Sequence, residues 1–310
     1  MKIRIWVALV SLSLAFGLAA CGQKTSDRQA AAPSRTNPVS SKPETSFEGT
    51  ILFQSDEDGD NDIYRLTAEG VRKLTDNTWS DEYPRWSPDG LTIAFIANPH
   101  GNDDIFLMNA DGSNLTAVLD SPADETEPAW LPGGTALAFT RGDTLWQIEL
   151  KTKSIRRVFP GFSRAHGLSD FSPDGEQVIF TGKRFAGWDV FLGYVSEGRW
   201  AALTSGGKGC RPRFSKNGTK IAFVSAKADG KGDIWVMKAD GTEKTRLTSR
   251  DGTYDYYPSW SGDGTRIVFS SGTVHSWKEG QWSLFLVDAE TKKVTPLFSA
   301  FQRAVFPDWH

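Results

Sequence analysis

At 310 residues, with 39% hydrophobic and 12% aromatic residues, the chain is long enough to bury a sizeable core. Its formal net charge is −3, and removal of a leader carrying Lys2 and Arg4 leaves 33 bases against 38 acids, a net −5. So mildly acidic a chain offers no basic patch for a polyanion, which excludes nucleic acid as a partner class.

In chain order, the first signal is export. Lys2 and Arg4 precede an apolar run from Ile5 to Leu18, too short for a membrane span, and small residues follow: Leu18-Ala19-Ala20-Cys21. Residues 1–20 therefore read as a secretory signal, and Leu-Ala-Ala-Cys resembles the lipobox of bacterial lipoproteins, whose Cys becomes the lipidated first residue. That resemblance makes Cys21 the lipidation site. With Gly22 after it, it implies the periplasmic face of the outer membrane in a Gram-negative cell. Residues 21–46, rich in Ser, Thr, Gln, Ala and Pro, bury too little to order themselves and form a tether. With Cys21 lipidated, Cys210 is left as a small packed filler and no internal disulfide is expected.

From residue 47 a phrase recurs: Pro84-Arg85-Trp86-Ser87-Pro88-Asp89-Gly90, then versions around Trp130, Phe171, Phe214 and Trp260, and a half-phrase at Phe306-Pro307-Asp308-Trp309. The aromatic positions are 44, 41, 43, 46 and 49 residues apart, a period that marks a repeat architecture. Each phrase precedes a strand-like run such as Ile93-Ala94-Phe95-Ile96. A third run follows (Asp104 to Met108, Asp233 to Met237), then a turn such as Asp111-Gly112, then a short closing run such as 116–119, 201–204 or 245–248. Four antiparallel strands in about 44 residues is a propeller blade. Runs near 51–53, 62–66 and 72–75 lack a first strand, while 304–309 is a first strand with nothing after it. Joining them predicts an all-β, six-bladed propeller over residues 47–310, closed by its C-terminal strand.

The Pro-x-Trp-Ser-Pro-Asp-Gly turn, the Ile-Ala-Phe strand, Asp-Ile-aromatic-x-Met before Asn109-Ala110-Asp111-Gly112, and closing Leu-Thr pairs (Leu74-Thr75, Leu247-Thr248) resemble the TolB family of WD40-like PD40 propeller repeats. The resemblance covers essentially everything after residue 46. It implies the fold and an envelope compartment. TolB carries a separate α/β domain ahead of its propeller, and the segment before Phe47 is too short for one, so membership of a Tol machine does not follow. Some relatives place such propellers before a serine hydrolase domain. Here no Gly-x-Ser-x-Gly occurs, and the sequence ends with the ring.

Strand order puts the Pro-Asp-Gly turns on one face and the varied inter-blade loops on the other, where binding residues are expected. On that second face stand Trp79, Glu82, Tyr83, Glu125, Glu127, Arg164, His166, Arg211, Asp255, Tyr256 and Arg303. Acids gather near 82 and 125 and bases near 164, 208 and 211, a split that suits a polar protein or peptide. Trp79, Tyr254 and Tyr256 are expected as exposed anchors. Asp56 to Asp62 resembles an acidic Ca²⁺ loop, but it lacks the downstream Glu, and the four His show no ligand spacing, so neither metal nor other cofactor is expected. The Asp residues opening strand three (Asp62, Asp104, Asp189, Asp233) recur in four blades and are expected to accept backbone N–H bonds. The resulting expectation is a monomeric, envelope-anchored, non-catalytic scaffold for a protein or peptide. The alternative is a propeller that binds or hydrolyses a carbohydrate or cell-wall fragment, for which Glu82 and Glu125 would face each other across the channel.

Overall fold

The computed structural model describes residues 42–310 except 120, 163, 166 and 168, so the leader, Cys21, most of the tether and His166 lie outside the described residues. Blade 1 takes β1 (Ile51–Ser55), β2 (Asp62–Thr67) and β3 (Gly70–Lys73). Blade 2 takes β4 (Asp81–Trp86), β5 (Thr92–Ala97), β6 (Asp104–Asn109) and β7 (Thr116–Leu119). Blade 3 takes β8 (Glu125–Trp130), β9 (Ala136–Arg141), β10 (Thr144–Glu149) and β11 (Ile155–Arg157). Blade 4 takes β12 (Asp170–Phe171), β13 (Gln177–Arg184), β14 (Gly187–Tyr194) and β15 (Arg199–Ala202). Blade 5 takes β16 (Gly209–Phe214), β17 (Lys220–Ser225), β18 (Asp233–Lys238) and β19 (Thr245–Arg246). Blade 6 takes β20 (Tyr254–Trp260), β21 (Arg266–Gly272), β22 (Trp282–Asp288) and β23 (Val294–Phe298).

The last strand, β24 (Val305–Trp309), joins blade 1 beside β1, with Ile51 opposite Trp309 and Leu52 opposite Asp308. Six four-stranded antiparallel sheets result, and the ring is closed as the sequence predicts.

The second strands are buried on both faces because each sheet packs between two others. Phe53, Phe95, Phe139, Phe180, Phe223 and Phe269 are at most 2% exposed. Such a residue contributes about 1.5–3 kcal/mol by leaving water. The phrase aromatics seal the joints. Trp130 Nε1 donates to the carbonyl of Arg85 one blade back at 3.1 Å, and Trp260 Nε1 to that of Arg213 at 3.2 Å. The turn of the phrase is held by its own side chains: Ser87 Oγ donates to Asp89 at 2.6 Å and accepts from Thr92 N at 2.9 Å.

Two closing strands are shorter than expected or displaced, at 199–202 and 245–246. The Leu-Thr pair leaves the ladder because its hydroxyl takes over a ladder bond: Val190 N donates to Thr204 Oγ1 and Ile234 N to Thr248 Oγ1, at 2.9 and 3.0 Å. This also revises the role of the recurrent Asp. Asp62 and Asp189 accept the Thr75 and Thr204 hydroxyls at 3.0 and 2.9 Å, while Asp104 and Asp189 do accept a backbone N–H, from Ser121 at 3.0 Å and from Gly207 at 3.4 Å. Cys210 is packed at 2% exposure.

Candidate functional site at the central channel

In blades 2, 3, 5 and 6 the innermost strand begins five or six residues before its aromatic. Glu82, Tyr83, Glu125, Glu127, Arg211, Asp255 and Tyr256 are therefore strand residues and not loop residues. In five of the six blades the ladder breaks at the Pro of the phrase, since Pro has no N–H to donate. The break is a bulge, and bulges re-aim side chains. The residue before each Pro is left-handed: Tyr83, Glu127, Arg211, Tyr257 and Phe306 have φ of 56°, 57°, 55°, 59° and 55°. Non-glycine residues occupy that region at a cost of about 1–3 kcal/mol each, and such strain gathers at functional sites.

These five side chains and their prolines line the channel. Phe306 packs on Tyr83 and Tyr257, with ring centroids 4.2 and 3.8 Å away, and the Arg211 guanidinium lies 4.5 Å from the Tyr257 ring, donating to its hydroxyl at 3.2 Å. Burial pushes the Tyr83 and Tyr257 hydroxyls up. The space left is about 30 Å³, room for one or two waters.

Beside this ring lies another, from the variable x of Pro-x-aromatic. Arg85 of blade 2 reaches Asp170 of blade 4 at 3.8 Å and Asp308 of blade 1 at 4.0 Å. Arg213 of blade 5 reaches Asp170 at 3.7 Å and also pairs with Asp308. Two arginines and two aspartates alternate around the channel. In blades 3 and 6 the same position holds Ala129 and Ser259, small enough to leave room. Backbone N–H groups fix the acids: Trp86 N donates to Asp308 at 2.7 Å and Phe214 N to Asp170 at 2.8 Å. Burial pushes Asp170 up to about 6 despite Arg85 beside it. This four-charge plug closes the channel without net charge.

The remaining expected residues are dispersed around the mouth. Glu125 is fully buried, accepting from Ser121 at 2.7 Å and Arg141 at 2.8 Å, and Glu82 accepts from Asn61 at 2.9 Å. Neither is among the residues that line the space between the bulges. Asp255 is buried against Arg250 and Ser271, and Arg303 holds Asp56 through two nitrogens. Tyr256, expected exposed, is 2% exposed and stacked on Trp282. Trp79 is half-buried and Arg164 exposed. In the acidic loop, Asp58, Asp60 and Asp62 offer oxygens within 4.8 Å of one another, but the Lys73 ammonium already pairs with Asp58 and Asp62 at 2.5 and 2.9 Å.

Sequence reasoning set the phrase aside as structural and so missed Arg85, Asp170, Arg213, Asp308, Tyr257 and Phe306. The available signal was charge: four of the six x positions are ionised inside an otherwise regular phrase.

Fold and site together define a closed six-bladed β-propeller with a bulge-lined, plugged channel. Residues 69–206 match the PD40 family, described as the TolB beta propeller domain. An uncharacterized protein of Agrobacterium fabrum is 26% identical over 68% of this chain and 72% of its own. A protein TolB homolog of Chlorobium luteolum is 30% identical over 47% of this chain, and the chain spans about a third (34%) of that relative's length. The crystal structure of TolB from Acinetobacter baumannii has the same fold, with a TM-score of 0.72 at 19% identity over 84% of this chain and 66% of that one. An oligogalacturonate lyase in complex with manganese shares the architecture at a TM-score of 0.55 and 14% identity, over 80% of this chain and 73% of that one.

Proposed function

We propose that the protein is an envelope-anchored lipoprotein, lipidated at Cys21, whose propeller is a non-catalytic scaffold for a protein or peptide partner. The partner docks on the inter-blade face around the channel mouth. The observation that carries this reading is the five-fold pre-proline bulge, which holds chemically varied side chains (Tyr83, Glu127, Arg211, Tyr257, Phe306) in a strained conformation beside the exposed rim. The likeness to TolB supports the compartment. A space of about 30 Å³ between the bulges is too small for a sugar ring, which supports docking at the mouth. The carbohydrate-directed alternative draws on the likeness to an oligogalacturonate lyase.

The test is photocrosslinking from Trp79 and Tyr254 in intact envelopes, with Arg164→Glu and Arg211→Gln as variants and Cys21→Ala as the anchoring control. A discrete crosslinked partner that fades in both variants, with melting temperature preserved, is the expected result. Unchanged crosslinks would overturn the choice of face, and turnover of pectic or cell-wall fragments by the purified protein would favour the alternative.

A further inference from the structure

We propose that the β13–β14 hairpin of blade 4 is a membrane-contact prong that docks on an anionic phospholipid surface. This hairpin pairs eight residues a side, Gln177 to Arg184 with Gly187 to Tyr194, where the corresponding hairpin of blade 5 pairs six. The two extra pairs replace a loop: this hairpin closes in the two-residue turn 185–186, where that of blade 5 closes in the seven-residue loop 226–232.

The tip is Phe185-Ala186, and Phe185 is fully exposed. Lys183 and Arg184 flank it, and Lys208 is exposed on the neighbouring inter-blade connection. The nearby acids are engaged: Asp189 accepts the Thr204 hydroxyl at 2.9 Å and Asp229 pairs with Arg246 at 2.6 Å. The Lys183 ammonium lies over the Trp188 ring, 5.4 Å from its centroid, and both tip cations stay exposed to solvent.

The prong is rigid because both adjoining connections brace it. Lys183 N donates to the carbonyl of Arg164 at 2.9 Å on one side. On the other, Trp188 bridges to Lys208, and a Cβ at Gly187 would come within 2.5 Å of the Gly207 carbonyl oxygen. A braced tip does not fold Phe185 back onto the protein.

The chemistry favours a bilayer over an acidic protein. A protein hot spot is a cluster of large side chains ringed by contacts that exclude water. Among the described residues the other exposed large hydrophobics are Leu91, Leu115 and Trp200, none on this tip. One aromatic ringed by Lys and Arg is the arrangement of interfacial anchors, where the ring enters the headgroup region and the cations meet lipid phosphates.

The test places Phe185→Trp in the full chain and compares it with the parent, subtracting the native tryptophan emission. Both are reconstituted in vesicles of phosphatidylcholine alone or mixed with phosphatidylglycerol, with brominated acyl chains. The readout is the depth of residue 185 and not attachment, so an anchor at Cys21 does not produce the signal. Quenching of the added emission in anionic vesicles alone is expected. The Lys183→Glu/Arg184→Glu pair, introduced beside Phe185→Trp, is expected to weaken it by about 25-fold or more, at about fivefold for each cation removed. No quenching in anionic vesicles, or equal quenching in neutral ones, overturns the proposal. So does shielding of residue 185 that appears only when envelope proteins are added. The crosslinks from Trp79 and Tyr254 are unaffected by either outcome.

Discussion

Asp308 accepts the backbone N–H of Trp86, 222 residues earlier, at 2.7 Å, while its other oxygen takes the Arg213 guanidinium. One side chain of the closing strand thus fastens blade 1 to blade 2 and completes the plug. Asp308→Ala strands two buried arginines against one aspartate. Removing one partner of a buried pair destabilises by about 3–5 kcal/mol. Urea unfolding should show a loss in that range, with Asp308→Asn, which keeps the N–H acceptor, losing less.

The buried carboxylates set a pH dependence of unusual sign. Burial raises Asp170, Asp81 and Asp233 to about 6, and Asp62, also buried, to about 7. A folded-state value above the unfolded one means that the native state binds the proton more tightly. The associated stability is full below about pH 4 and is lost as pH rises through 6 to 7. Asp263 works oppositely: hydrogen bonds from Ser261 and Thr265 lower it to about 2, so its contribution is lost only as pH falls through 2. Chemical denaturation is expected to give a higher midpoint at pH 5 than at pH 8, with Asp170→Asn flattening the difference. A midpoint that rises steadily to pH 8 would contradict this account.

The Asp–Thr clasp makes a narrower prediction. Thr75 Oγ1 donates to buried Asp62 and accepts from Ile63 N at 2.9 Å. Thr75→Val keeps the shape and leaves both groups unsatisfied, at about 1–3 kcal/mol. Thr204→Val repeats the experiment in blade 4 and should cost a similar amount, whereas a substitution at exposed Thr242 should change stability little.

Lipidation and disulfide formation compete for one sulfur. A lipidated Cys21 carries its sulfur as a thioether, and Cys210 is then the only other cysteine in the sequence. Metabolic palmitate labelling that Cys21→Ala abolishes, with an intact mass unchanged by reduction, is the outcome expected of a lipoprotein. An unlabelled protein whose mass shifts on reduction would show that Cys210 is paired and Cys21 is not acylated.

Much of the fold is legible in the sequence because its determinants are local and repeated. The period of the aromatics at 86, 130, 171, 214, 260 and 309 fixes the blade count, and the missing strand before Ile51 with the spare one at Trp309 fixes closure. The candidate site is harder to read because it is assembled across the ring. Nothing local to Arg85 says that it will meet Asp170 and Asp308, and the left-handed turn at Tyr83 follows from a ladder broken at Pro84, not from any preference of Tyr. Tyr256 was misplaced for a related reason: alternation along β20 turns it into the interface with Trp282, while the bulge sends Tyr257 to the channel.

Closure through β24 has a consequence for biogenesis. Until Val305–Trp309 have left the ribosome, β1 presents an open strand edge, and the blade nearest the N-terminus is the last to be sealed. Pairing the two ends of so long a chain is slow, so the unsealed ring persists after synthesis ends. Such a chain stays pliable while it is being made and gains its rigidity as a unit.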